Sequence, residues 1–158
     1  MCPGLASWKM ARMSDECTRM LTQLIAPLTQ PGQPLQARWL GDAEDPLPQQ
    51  IAAKTEGLVW EETRADNRWP LAVMDARRDR PASSELAWWR DLGAAQLFVL
   101  LQQSAGFESA LISLGLRPVA RGPHHGVWAF DIADYKPRPD WLNPRFWANP
   151  DRWEQARW

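Results

Sequence analysis

The stretch that decides the fold is Ala95-Gln96-Leu97-Phe98-Val99-Leu100-Leu101, which ends in five consecutive apolar residues. It does not alternate polar with apolar, so it predicts a strand covered on both faces, the situation of a parallel sheet sandwiched by helices. It is far too short to span a bilayer, which takes about 20 residues.

Working downstream, Phe107 to Leu114 has helical spacing, and Gly115 stands just beyond it as a C-terminal stop. Arg117 to Arg121 and Val127 to Ile132 read as strands. Gly122-Pro123-His124-His125-Gly126 joins them as a hairpin. Upstream, Ser83 or Ser84 is the expected cap of a helix through Leu86, Trp88, Trp89 and Leu92, stopped at Gly93. Leu71 to Met74 is a strand ending in Asp75, and Leu58-Val59-Trp60 is another ending in Glu61-Glu62. Pro46 to Lys54 is a short helix with its prolines near the first turn, where missing donors cost little. Leu35 to Leu40 is a strand closed by Gly41-Asp42. Before it, Ser14 reads as a helix cap, and Met20, Leu21, Leu24, Ile25 and Leu28 form one helical face. Pro27 and then Pro31-Gly32 end that helix.

Alternating strands and helices require a mainly parallel sheet with helices on both faces, because parallel strands need crossover connections. The terminal hairpin is expected to add an antiparallel edge. The class is therefore α/β, a three-layer Rossmann-like sandwich over residues 14–136. Residues 1–13 read as a disordered extension, with Met13 as a fresh start. Residues 137–158 read as a Trp-rich tail packed on the domain.

Composition narrows the function classes. With 158 residues, 45% of them hydrophobic, the chain can bury one real core. A net charge of −1 argues against general attraction to nucleic acid or anionic membrane. Cys2 and Cys17 form no disulfide framework, so a reducing cytoplasm is the simplest setting. Eleven tryptophans exceed what such a core needs, which assigns several to a surface or a dedicated segment.

The order from the acid-tipped strand at Asp75 through the apolar strand, the Leu114-Gly115-Leu116 helix end and the hairpin resembles the second half of class I S-adenosylmethionine-dependent methyltransferases. The likeness covers residues 35–132. The resemblance implies a cofactor edge with a glycine turn after the first strand, matched by Gly41 and Asp42. It implies a ribose-binding acid at the tip of the second strand, matched by Glu61, and a further acid matched by Asp75. The family's third strand and its helix are missing between Glu62 and Leu71. One glycine in an acid-rich turn points to loss of cofactor binding rather than retention. The whole chain is also similar to small bacterial proteins that end in a Trp- and Asn-Pro-rich tail, which implies no function.

Other constellations are weaker. Arg77 and Arg78 follow Asp75 at the edge where ligands bind in open α/β sheets, and arginines there could hold a phosphate or carboxylate. Any small ligand is expected beside Gly41, Asp42, Glu61, Asp75, Arg77 and Arg78 rather than near His124. His124-His125 point to opposite faces of a strand and shape a turn; no metal-ligand spacing is present. No nucleophile elbow or phosphate loop appears. The tail contains Asn143-Pro144-Arg145-Phe146-Trp147 and Asn149-Pro150-Asp151-Arg152-Trp153. Trp153, Arg157 and Trp158 are the expected anchors for a protein partner or a second copy. Three classes stay open: a non-catalytic ligand- or protein-binding domain, a methyltransferase with an atypical cofactor loop, and a single-stranded nucleic-acid module, the last disfavoured by the charge.

Overall fold

The computed structural model describes residues 4–63, 68–103 and 106–135, with the side chains of residues 4–13 and of Tyr135 outside that description. The expected tail at 137–158 falls outside it, whereas of the expected disordered extension at 1–13 only residues 1–3 do: residues 4–13 are helical, the first part of a helix that runs on past the expected start at Ser14.

Helix α1 spans Gly4–Ile25 and runs into a 3-10 turn, Ala26–Leu28, where Pro27 cannot continue the α-helical bonding. Strand β1 (Leu35–Leu40), helix α2 (Leu47–Lys54) and strand β2 (Leu58–Trp60) follow. Strand β3 (Trp69–Ala76) leads to helix α3 (Ser83–Trp88), a π-helical turn (Trp89–Gly93) and strand β4 (Ala94–Gln102). Helix α4 (Glu108–Ser113), strands β5 (Arg117–Arg121) and β6 (His125–Asp131) and a last turn, α5 (Ile132–Tyr135), complete it.

The six strands form one sheet in the order β2-β1-β3-β4-β6-β5. β2, β1, β3 and β4 pair in parallel, and β6 is antiparallel to both β4 and β5. The fold is Rossmann-like, as the alternation predicts. The hairpin differs in one respect: its reversed strand, β6, lies inside, and β5 forms the edge. That edge is mostly exposed, carries Pro118 and is broken by a register shift, features that keep it from pairing further.

Strand periodicity sorts the core onto two faces. Leu71, Val73, Phe98 and Leu100 meet Cys17, Leu21 and Ile25 of α1 and Leu47 and Ile51 of α2. Ala72, Met74, Leu97 and Val99 meet Leu86 of α3 and Leu111 of α4 on the other side. β4 therefore is covered on both faces.

Two helix starts differ from expectation. Ser14 lies inside α1, and its hydroxyl donates to Gln50 Oε1 at 2.9 Å, a tertiary contact rather than a cap. Ala82, not Ser83 or Ser84, is the N-cap of α3. The π turn has a steric cause: a Cβ on Gly93 would lie 2.7 Å from Trp88 Cζ3, so glycine lets the chain close under the two indoles. At the end of α4, Gly115 (φ 80°) donates to Ile112 O at 2.9 Å and Leu116 N to Leu111 O at 2.9 Å, the expected glycine stop.

Candidate functional site

The carboxyl ends of β1, β2, β3 and β4 face one edge of the sheet, where open α/β proteins hold ligands. At that edge the β1–α2 turn is held by its own side chains. Trp39 Nε1 donates to Asp42 O at 3.2 Å, and Asp42 Oδ1 accepts from Glu44 N at 3.0 Å. Asp45 Oδ1 accepts from Leu47 N at 2.8 Å, satisfying a first-turn donor of α2.

Gly41 is the one glycine of this turn, and the space on its Cβ side is filled, although the residue itself is exposed. A Cβ there would lie 2.8 Å from Asp75 Cβ and 2.9 Å from Trp39 Nε1. Glycine at this position therefore admits two of the protein's own side chains, one from β1 and one from β3.

Arg77 closes the edge beside it. Asp75 accepts from Arg77 N at 3.1 Å, from Nε at 2.8 Å and from Nη2 at 2.7 Å. Nη2 also bridges to the Asp45 carboxylate. The three side chains are nearly sealed, at 16%, 8% and 7% exposure for Arg77, Asp75 and Asp45. Burial disfavours the guanidinium charge, but the hydrogen bonds and charge of Asp75 and the charge of Asp45 outweigh it, so Arg77 holds its proton more firmly than usual. Beneath it lies Cys17, whose thiol burial pushes up to about 11 against the pull of Arg77, which leaves it an unreactive thiol at neutral pH. Arg78, by contrast, is exposed and reaches Asp42 at only 3.6 Å.

A second buried polar contact ties α1 to the hairpin. Glu16 Oε1 accepts from the backbone N–H groups of His124 at 3.0 Å and His125 at 3.2 Å. Burial raises the Glu16 pKa, but these bonds and the neighbouring imidazole outweigh it and leave the carboxyl below its ordinary range. His125 Nδ1 stands 3.6 Å from Glu16 Oε2, at ion-pair distance but without a hydrogen-bond partner among the described residues. Burial depresses the imidazole pKa more strongly than the carboxylate restores it.

Two pockets open along the edge with Asp45 in the wall of each. One, of about 320 Å³, is bounded by Ser14, Arg77, Arg78, Gln102 and His125. The other, of about 250 Å³, is bounded by Arg38, Trp39, Gly41, Trp60, Glu61 and Glu62.

The expected site residues thus split into two groups. Asp75, Arg77 and Gly41 touch or nearly touch, with Asp42 and Arg78 at the rim, whereas Glu61 shares the 250 Å³ pocket with Gly41 but, among the described residues, bonds to neither Asp75 nor Arg77. Glu61 is pinned by its backbone: its N–H donates to Ala37 O at 3.0 Å, and its carbonyl accepts from Arg38 Nη1 at 3.3 Å. His125, which sequence reasoning treated as a turn residue away from the ligand edge, lines the same pocket as Arg77 and Arg78. His124 is exposed, as alternation requires. Asp45, Glu16 and Trp39 were missed; an acid just ahead of the α2 prolines was the only available signal, and it pointed to Asp45. Trp153, Arg157 and Trp158 lie outside the described residues. Among the described residues no three His, Cys, Asp or Glu side chains gather as a metal site would require. No described helix is long and apolar enough to cross a membrane.

A family model described as "Family of unknown function (DUF6231)" matches residues 16–158. No curated protein matches the chain. Among solved structures, the crystal structure of magnesium protoporphyrin IX methyltransferase (ChlM) from Synechocystis PCC 6803 with bound SAM is similar at 8% identity. That match covers 82% of this chain and 84% of that one, with a TM-score of 0.46.

Proposed function

The chain belongs to DUF6231, a family of unknown function, so a role has to be argued from its own residues, and we propose that it is a non-catalytic binding protein built on a methyltransferase-like scaffold. One observation carries this reading: the volume a Cβ would take at Gly41 is occupied by Asp75 and Trp39, so the turn's glycine serves the protein's own packing. An S-adenosylmethionine site on this scaffold needs the backbone of that turn to approach the cofactor. Here that turn is exposed and lines the 250 Å³ pocket, but its Cβ side is filled and the carboxylates of Asp75 and Asp45 are already held by Arg77. Acids engaged within the fold and a glycine used for packing favour an edge that works without that cofactor.

The remaining chemistry at the edge also supports binding over turnover. Cys17 is buried and its thiol pKa raised, and His125 is buried with its proton affinity lowered. Neither presents an activated nucleophile or base to a pocket-sized substrate. In this reading a ligand enters one of the two edge pockets, and Trp153, Arg157 and Trp158 serve a protein partner or a second copy.

Titration calorimetry with S-adenosylmethionine tests the proposal, with no binding heat expected. Micromolar binding that is abolished by Glu61→Ala would overturn it and make the chain a methyltransferase with an atypical cofactor loop.

A further inference from the structure

The 250 Å³ pocket has a composition of its own. Trp39 and Trp60 stand in its wall with ring centroids 5.9 Å apart and planes at 77°, two nearly perpendicular indoles forming a corner. Their orientations are fixed by backbone acceptors: Trp60 Nε1 donates to Pro48 O at 2.7 Å, and Trp39 Nε1 to Asp42 O at 3.2 Å. With both ring N–H groups engaged, the indoles offer the pocket π surface and no donor. Among the described residues the carboxylates of the wall are Asp45, Glu61 and Glu62, against the guanidinium of Arg38. Asp45 is held by Arg77. Among the described residues Glu61 and Glu62 therefore face one arginine, and the described rim is acidic.

Fixed aromatic faces beside carboxylates suit a cation, because the negative face of an indole ring attracts positive charge while its hydrocarbon surface accepts methyl groups. An anion would meet two carboxylates, and a neutral apolar ligand would desolvate them without return. We infer that this pocket binds a small organic ammonium ion, with a quaternary ammonium preferred because it has no N–H groups to leave unsatisfied against the rings. The inference rests on the reading that the edge is a binding site without S-adenosylmethionine chemistry, and it names the ligand class for the pocket at Glu61.

The test uses the full chain, choline as the probe and 3,3-dimethylbutan-1-ol as its neutral isostere. Indole N–H resonances are followed by NMR and affinities by calorimetry. Choline is expected to shift Trp39 and Trp60 selectively and to bind at least about tenfold more tightly than the isostere. Trp60→Leu should remove binding. Should that variant fail to fold, Glu61→Gln/Glu62→Gln, which alters only rim charge, should weaken choline about threefold and flatten its salt dependence. Equal binding of choline and the isostere overturns the inference, as does a lack of any choline response in the folded chain. Those failures leave the non-catalytic reading standing. That reading fails separately, by S-adenosylmethionine binding that Glu61→Ala removes.

Discussion

Gly122 in the β5–β6 turn is the complement of Glu16 in α1: a Cβ on Gly122 would lie 2.7 Å from Glu16 Cδ, inside the volume its carboxylate fills. The turn needs glycine for space and not for backbone freedom, since Gly122 is not among the positive-φ glycines.

Gly122→Ala should therefore expel Glu16 and leave the N–H groups of His124 and His125 without their acceptor. The expected loss is about 2–4 kcal/mol in urea unfolding, the cost of a buried charged hydrogen-bonding group displaced. In the background of Glu16→Ala, the same glycine substitution should cost much less. Fully additive losses would mean that the two residues do not share this volume.

The Glu16–His125 contact also sets the acid behaviour. Both groups have folded-state pKa values below their ordinary ones. In the window just below 6.5, the unfolded chain binds a proton at His125 that the folded chain resists, so stability falls as pH drops. Below about 4.5 the Glu16 contribution is lost in the same direction. Melting temperature should decline from pH 7 downward, and His125→Asn should flatten the upper part of that decline. A melting temperature flat between pH 7 and pH 5 in the parent chain would contradict the His125 direction, and one flat below about pH 4.5 the Glu16 direction.

Val99 is fully buried in β4, between Met74 of β3 and Trp128 of β6. Val99→Asp would place an unpaired carboxylate there, and a loss of about 4 kcal/mol or more is expected, enough to abolish a cooperative melt. A soluble variant that melts normally would show that β4 is not central.

The parts of the fold legible in the sequence are those whose signals are local. Strands β1 and β2 match expectation to the residue because Gly41 and Glu61-Glu62 close them and prolines or glycines precede them. The contacts that build the edge are not local. Glu16 meets the hairpin 108 positions away, and Arg77 reaches Asp45 across 32. No spacing rule links such residues. For the same reason Ser14 looked like a cap: its preference for that role is intrinsic, and the Gln50 contact that decides its position is tertiary. The π turn was invisible because it follows from two indoles packing over Gly93.

Adjacent arginines at this edge have opposite energetic roles, and that gives the most direct test of the filled edge. Arg77 sits between two nearly buried carboxylates, and removing it in Arg77→Ala leaves Asp75 and Asp45 uncompensated. A loss of about 3–5 kcal/mol is expected. Arg78 makes only a long, exposed contact to Asp42, so Arg78→Ala should change stability by less than about 0.5 kcal/mol. If the cost of Arg77→Ala is the isolation of charge, then Asp45→Asn/Asp75→Asn/Arg77→Met, which removes all three charges at once, should recover most of it. Asn at 45 can still accept from Leu47 N, so the α2 turn is kept. Chemical denaturation of the four proteins separates the cases. Equal, small effects at 77 and 78 would reduce Arg77 to surface charge and reopen the edge to an anionic ligand.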